Sequence, residues 1–199
     1  LLLRGLSRLR DEHPGIQVEV VPTPGAIDLL RREADLAIRL FREKASSLIM
    51  RKVGEFGWSL YASEDYLASR SVELGSPSLA GHDVIDYEAG RSKMPGGRWV
   101  REHLGDQTPV MTCGDPSSAL AAVSAGNGVA VLPCFITHAH PRIRRLTPDV
   151  VATGEVFLVI PPDHKNTTRV RLTADFLADY FIEHADLLAG RTNPTDTTT

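Results

Sequence analysis

The chain lacks most of the features that announce a chemistry. It has two cysteines in 199 residues, Cys113 and Cys134, too few for a disulfide framework. They read as reduced, buried thiols. Positive charge is not in excess: 22 Lys and Arg face 25 Asp and Glu, for a net charge of −3. A chain of that balance does not by itself wrap a nucleic-acid backbone. No apolar run approaches the roughly 20 residues that span a bilayer, so no membrane partner is expected. No basic segment precedes an apolar stretch as in a signal peptide, and the cytoplasm is the default compartment. The chain begins at Leu1 without an initiator Met, so it reads as a fragment or a processed form. A G-x-S-x-G elbow, an H-E-x-x-H pair and a Walker loop are all missing, and no spacing selects a Ser-His-Asp triad. An enzyme is not expected.

What is present is concentrated between residues 117 and 133, SSALAAVSAGNGVAVLP. Ala119, Ala121, Ala122, Ser124 and Ala125 make a helix of small residues that can pack closely. Gly126 and Gly128 bracket Asn127 as a left-handed cap. Val129 to Leu132 then reads as a strand buried on both faces. Asp115, Pro116 and Ser117 mark the helix start. A helix start with free N–H groups suits an anion, so the stretch offers both an α/β unit and a ligand seat. Gly-Asn-Gly is not a dinucleotide fingerprint, because it follows a helix and precedes a strand.

The rest of the chain alternates in the same way. Residues 1–13 have helical spacing and stop at Pro14-Gly15. Residues 16–21, IQVEVV, alternate as a strand. After a turn at Thr23-Pro24-Gly25, residues 26–33 form a helix and residues 35–40 a strand, a βαβ unit with parallel pairing. Strand character runs over 47–61, and a helix capped by Ser63 follows. A short turn of helix comes near 76–79, then a strand over 83–87, a loop over 90–97 and a helix over 98–104. A strand over 109–112 precedes the central stretch. A short helix spans 135–142, a strand 156–160, a polar connection 165–171 and a long amphipathic helix 172–188. The tail from residue 191 has no core-forming residue and is expected to be disordered.

In order, HPGIQVEVV, LLRREADLAIRL, WSLYASEDYLA, SSALAAVSAGNGVAVLP and RVRLTADFLADYF resemble the effector-binding domain of LysR-type transcriptional regulators. The resemblance covers residues 1 to about 188. It implies a type 2 periplasmic-binding-protein fold: two Rossmann-like α/β subdomains joined by two crossover strands, near 59–62 and 157–161. Subdomain I would comprise 1–61 and 158–190, and subdomain II 62–157, with 191–199 a tail. The family implies a small effector in the inter-subdomain cleft, dimer or tetramer contacts, and DNA binding through an N-terminal helix-turn-helix that these residues do not include. The strand that the family places before the first helix is also absent from them. The expected effector is a small anion, a carboxylate or an aromatic acid. A solute-binding protein of a transporter is the alternative on the same fold.

The candidate effector-binding residues each have a plain structural alternative. Gly114, Asp115, Ser117 and Ser118 form a polar seat at the helix start, or simply cap it. Glu88, Gly90 and Arg91 lie on a loop that faces the cleft in the family, and Arg91 could pair with a carboxylate; a solvated loop is the alternative. Thr23 and Pro24 match a cleft-facing turn, or are ordinary turn residues. Arg39 ends a strand, where ligands gather in open sheets, or makes a surface ion pair. Phe135 walls the cleft or belongs to the core. Cys134, His138 and His140 have ligand chemistry in a C-x3-H-x-H array, but no fourth ligand is evident, so neither metal nor cofactor is expected.

Overall fold

The computed structural model of the chain describes residues 1–22, 29, 33–42, 47–70, 78–89 and 94–191. Helix α1 (Leu2–Glu12) buries Gly5 and Leu9. Strand β1 (Ala37–Arg39) is short, and β2 (Ile49–Ser63) is a long strand of 15 residues. Ser63 closes β2 and caps α2 (Glu64–Ser69), its side chain accepting from the Tyr66 N–H. Then come β3 (Ile85–Tyr87), α3 (Pro95–His103), β4 (Met111–Cys113), α4 (Pro116–Ser124) and β5 (Ala130–Pro133). The chain continues through α5 (Cys134–Thr137), β6 (Ile143–Arg145), β7 (Ala152–Ile160), a 3-10 turn (Pro162–His164), α6 (Thr168–Glu183) and α7 (Ala185–Leu188).

One sheet runs β1-β7-β2-β5, with β6 also on β2, and a second holds β3 and β4. In the larger sheet β1 pairs antiparallel with β7 (Ala37↔Val159), and β2 pairs antiparallel with β5 (Leu60↔Val131). The smaller sheet is parallel, Asp86 opposite Thr112. The chain divides into two compact units. Unit 1 comprises Leu1–Glu55 and Glu155–Ala185; unit 2 comprises Phe56–Gly154 and the chain from Asp186.

In unit 1, Leu29, Phe157 and Val159 form a core against Ala34, Ala37, Leu48 and Met50. Helix α1 packs on α6 with Gly5 under the Tyr180 ring, where an added Cβ would come within 2.8 Å of the ring. The Tyr180 hydroxyl donates to the Leu1 carbonyl at 3.1 Å. Unit 2 has its own buried centre. Val84, Ile85, Val100, Val123, Val129, Ala130 and Leu132 are all essentially inaccessible. Full burial of one such Val or Leu contributes about 1.5–3 kcal/mol. Gly128 has φ +149°, and a Cβ there would lie 2.0 Å from the Asp83 carbonyl oxygen. That close approach lets the Val129 N–H donate to Asp83 O and the Ile85 N–H to Val129 O, both at 2.9 Å. Gly126, at φ +80°, ends α4, with its N–H on Val123 O. Residues 186–191 pack in unit 2 as well: Arg145 donates to Gly190 O at 2.8 Å, and Gly190 lies against Cys134 Sγ.

Several expectations need correction. Residues 16–21 alternate, yet no strand pairing forms there among the described residues, and Val18, Val20 and Val21 are 41%, 45% and 53% exposed. β1 bonds to β7 instead, antiparallel, so the expected parallel βαβ pairing is not formed among the described residues. Alternation supplies a face but no hydrogen-bond partner. The predicted loop over 90–97 ends earlier, because α3 starts at Pro95. Proline costs nothing at a helix start, and Gly96 lets the first turn sit on Trp58, where a Cβ would meet the ring at 2.3 Å. α6 likewise starts at Thr168, inside the predicted polar connection, and it ends at Glu183, before α7. The strand β6 was not anticipated. The predicted helix over 26–33, the helical turn near 76–79 and the tail from residue 192 lie largely or wholly outside the described residues.

Candidate functional site

Unit 2 brings four of the predicted residues together with a fifth. β3 and β4 run parallel and end side by side, and the Glu88 N–H donates to Cys113 O at 3.1 Å just beyond their carboxyl ends. Gly114 follows, without a side chain, and a Cβ there would be 3.9 Å from the Glu88 carboxylate. Asp115 then starts α4. Its Oδ1 accepts from the Ser117 N–H at 2.8 Å and the Ser118 N–H at 3.0 Å. Its Oδ2 accepts from the Ser118 hydroxyl at 2.7 Å. Glu88, Gly114, Ser117 and Ser118 are exposed, and Asp115 is half-buried. Loops at the carboxyl ends of parallel strands are where open α/β sheets bind ligands. At the start of α4 the Asp115 cap takes up the Ser117 and Ser118 N–H groups.

Carboxylates add to the raised pKa of two buried groups at this end. Burial first, and the nearby carboxylates including Asp115 after it, hold the Tyr87 hydroxyl in its protonated form. Burial and then Asp115 push the Cys113 thiol up from its ordinary value. Asp86 is a further, buried carboxylate that the sequence reading passed over. It lies 3.7 Å from Arg101 Nη2. The signal was available: an acid inside the apolar run VIDY is rarely there for packing alone.

Phe135 stands apart from this group. It is half-buried and meets Phe56 edge-on, with ring centres 5.5 Å apart. Phe56 packs on Trp58, and Trp58 meets Tyr87 edge-on. The core alternative for Phe135 therefore has direct packing behind it. In unit 1, Arg39 is the last residue of β1, opposite Phe157, and is 5% exposed. Its guanidinium carbon lies 6.0 Å from the centre of the Phe41 ring. Arg39 is therefore buried rather than on the surface. Thr23, Pro24, Gly90 and Arg91 lie outside the described residues.

Cys134 is free, buried and held with its pKa above the ordinary thiol value, chiefly by burial. No group of three His, Cys, Asp or Glu that could hold a metal occurs among the described residues. No described helix is long and apolar enough to cross a membrane. A cavity of about 490 Å³ in unit 2 is lined by residues 78–80 and 103–107, none of them a predicted site residue.

The chain forms two α/β units and passes from one to the other within β2 and β7. The profile of the LysR substrate binding domain matches residues 1–182, and the chain belongs to that family. It is the effector-binding regulatory domain of a LysR-type regulator, with the type 2 periplasmic-binding-protein-like fold. Curated relatives are transcriptional regulators rather than enzymes. An HTH-type transcriptional repressor of Pseudomonas aeruginosa is 26% identical over 193 residues, 90% of this chain and 60% of that protein. The HTH-type transcriptional activator AaeR of Escherichia coli is 24% identical over 190 residues, 92% of this chain and 61% of that protein. The chain thus spans about three-fifths of these relatives' length. The CrgA regulatory domain of Neisseria meningitidis superposes with a TM-score of 0.76 at 22% identity, covering 90% of this chain and 91% of that one. The AmpR effector domain of Pseudomonas aeruginosa gives 0.74 at 19% identity, covering 92% and 90%.

Proposed function

We propose that this domain senses a small carboxylate, such as an aromatic acid. The effector favours one hinge arrangement and so repositions the DNA-binding domains of the parent protein. The single observation that carries the ligand reading is the convergence of Glu88, Gly114 and the start of α4 at the carboxyl ends of the parallel pair β3–β4. Arg39, at the end of β1, is the group assigned to the effector carboxylate, because a guanidinium offers the planar, bidentate match. A ligand changes the hinge equilibrium only by as much as its affinities for the two arrangements differ.

The working unit is a homodimer or homotetramer in the cytoplasm. Apolar residues exposed on each unit support an assembly: Val18, Val20 and Val21 in unit 1, Val110 and Met111 at β4 in unit 2. Such residues mark an interface where they form a contiguous patch. Sedimentation of the wild type against Val20→Lys and Met111→Lys tests this part, with dissociation expected in both variants.

The effector reading is tested by thermal-shift screening of small acids. A binder present at 100 times its Kd should stabilise the domain by about 2.7 kcal/mol. Arg39→Lys is expected to weaken the binding of an acid without unfolding the domain. Unchanged affinity in that variant would remove Arg39 from the site.

A further inference from the structure

The chain passes from unit 1 to unit 2 once more, outside the large sheet. Helix α6 belongs to unit 1, whereas the chain from Asp186 belongs to unit 2. The end of α6 is tied to α1: Glu183 pairs with Arg8 at 2.7 Å, and the Tyr180 ring covers Gly5. The His184 N–H donates to Tyr180 O at 3.2 Å, and α7 starts at the next residue. Residues 188–190 are then seated on unit 2. Leu188 is 2% exposed. The Ala189 carbonyl lies over Gly57 of β2, where an added Cβ would come within 2.7 Å of its oxygen. Gly190, at φ +72°, lies against Cys134 of α5, with its own Cβ position 2.5 Å from Sγ. Its carbonyl accepts from Arg145 Nη1 of β6 at 2.8 Å. The segment also closes on itself: the Arg191 N–H donates to Asp186 O at 2.9 Å, and their side chains pair at 2.6 Å. Little slack lies between the two anchors, because residues 185–188 are helical. A helix rises only about 1.5 Å per residue, against about 3.3–3.6 Å in extended chain.

We propose that residues 186–191 are a strap that restrains movement between the units. β2 and β7 are neighbours in one sheet, so by themselves they leave the units free to turn about the line they share. A further short passage outside that sheet takes this freedom away. Rearrangement then requires that α7 unwind or that residues 188–190 leave Gly57, Cys134 and Arg145. The strap's role in sensing rests on the hinge reading above; the restraint itself does not.

The restraint can be tested on the full chain without an effector. Two variants unseat the strap: Gly190→Ala, whose new Cβ meets Cys134, and Arg145→Gln, which removes the charged donor to Gly190 O and serves if the first fails to fold. Docking is read from hydrogen exchange of the Gly190 and Arg191 amides, which donate to Leu187 O and Asp186 O. Exchange should be protected in the wild type and at least about tenfold faster in a variant that has lost a charge-assisted bond. Movement is read from residual dipolar couplings fitted separately for unit 1 and unit 2. The ratio of the two alignment magnitudes should lie near unity in the wild type and depart from it in both variants. Tyr87→Phe, which weakens unit 2 away from the strap, should leave the ratio unchanged. Free exchange of the two amides in the wild type, or exchange unaltered in both variants, overturns the proposal. So does an unchanged ratio once exchange has risen, or an equal change in Tyr87→Phe. Failure of the effector reading would show differently: no acid would stabilise the domain while these ratios stood.

Discussion

The two units treat the same kind of sequence signal differently. In unit 2 an apolar run becomes a strand with partners: β5 pairs with β2 along Trp58 to Tyr61, and all four of its residues are buried. In unit 1 the alternating run over 16–21 finds no ladder partner among the described residues, and three of its valines are exposed. The difference teaches that hydrophobic pattern selects a face, whereas a strand also needs a neighbouring backbone. It also separates two kinds of glycine. Gly128 and Gly96 are required by close approach, while Gly15 has nothing within 4 Å of an added Cβ.

The strongest way to break this contrast is to fill those spaces. Gly128→Ala should cost about 3 kcal/mol or more, since the residue combines a positive φ with a backbone contact that cannot give. Gly15→Ala should stay within about 0.5 kcal/mol of the wild type. Urea unfolding of the two variants compares the units directly, and equal losses would refute the distinction. Next in size is Tyr87→Phe. The Tyr87 hydroxyl donates to the buried Val131 carbonyl at 2.7 Å, so its removal should cost about 1–2 kcal/mol. Val20→Thr, on the exposed run of unit 1, should cost less than about 0.5 kcal/mol. Asp115→Ala should cost about 1 kcal/mol through the lost cap, and Asp115→Asn much less.

The smallest effect is a pH slope confined to unit 2. Burial, and then the nearby Arg70, lower the pKa of His82 from its ordinary value near 6.5. The folded state then binds fewer protons than the unfolded one. Stability from this group is present above about pH 6.5 and is lost as pH falls from there toward the folded value. Denaturant midpoints between pH 7.5 and 5.5 should fall in the wild type and fall less in His82→Asn. Equal slopes would assign the dependence to other groups.

Much of the α/β alternation was legible because each element carries its own punctuation. Ser63 caps α2, Asp115 caps α4 and Gly126 ends it, all by bonds local in the chain. What was not legible depended on distant partners. β6 has the sequence IRR and gains its strand state from Ser63, Ala62 and Tyr61 of β2. The early start of α3 depends on Gly96 fitting against Trp58, far back in the sequence. At the site, the helix start was recognised but its occupancy was not. Capping and anion binding use the same N–H groups, and only the geometry of the Asp115 carboxylate decides between them.

The central proposal is that a small acid binds at the carboxyl ends of the parallel pair β3–β4. The most direct measurement is a nitrogen-proton correlation titration with the best stabilising acid from the screen. The account predicts saturable perturbation of residues 88–89 and 114–118. Binding that leaves these residues in place, or is centred on the separate cavity at residues 78–80 and 103–107, would contradict it.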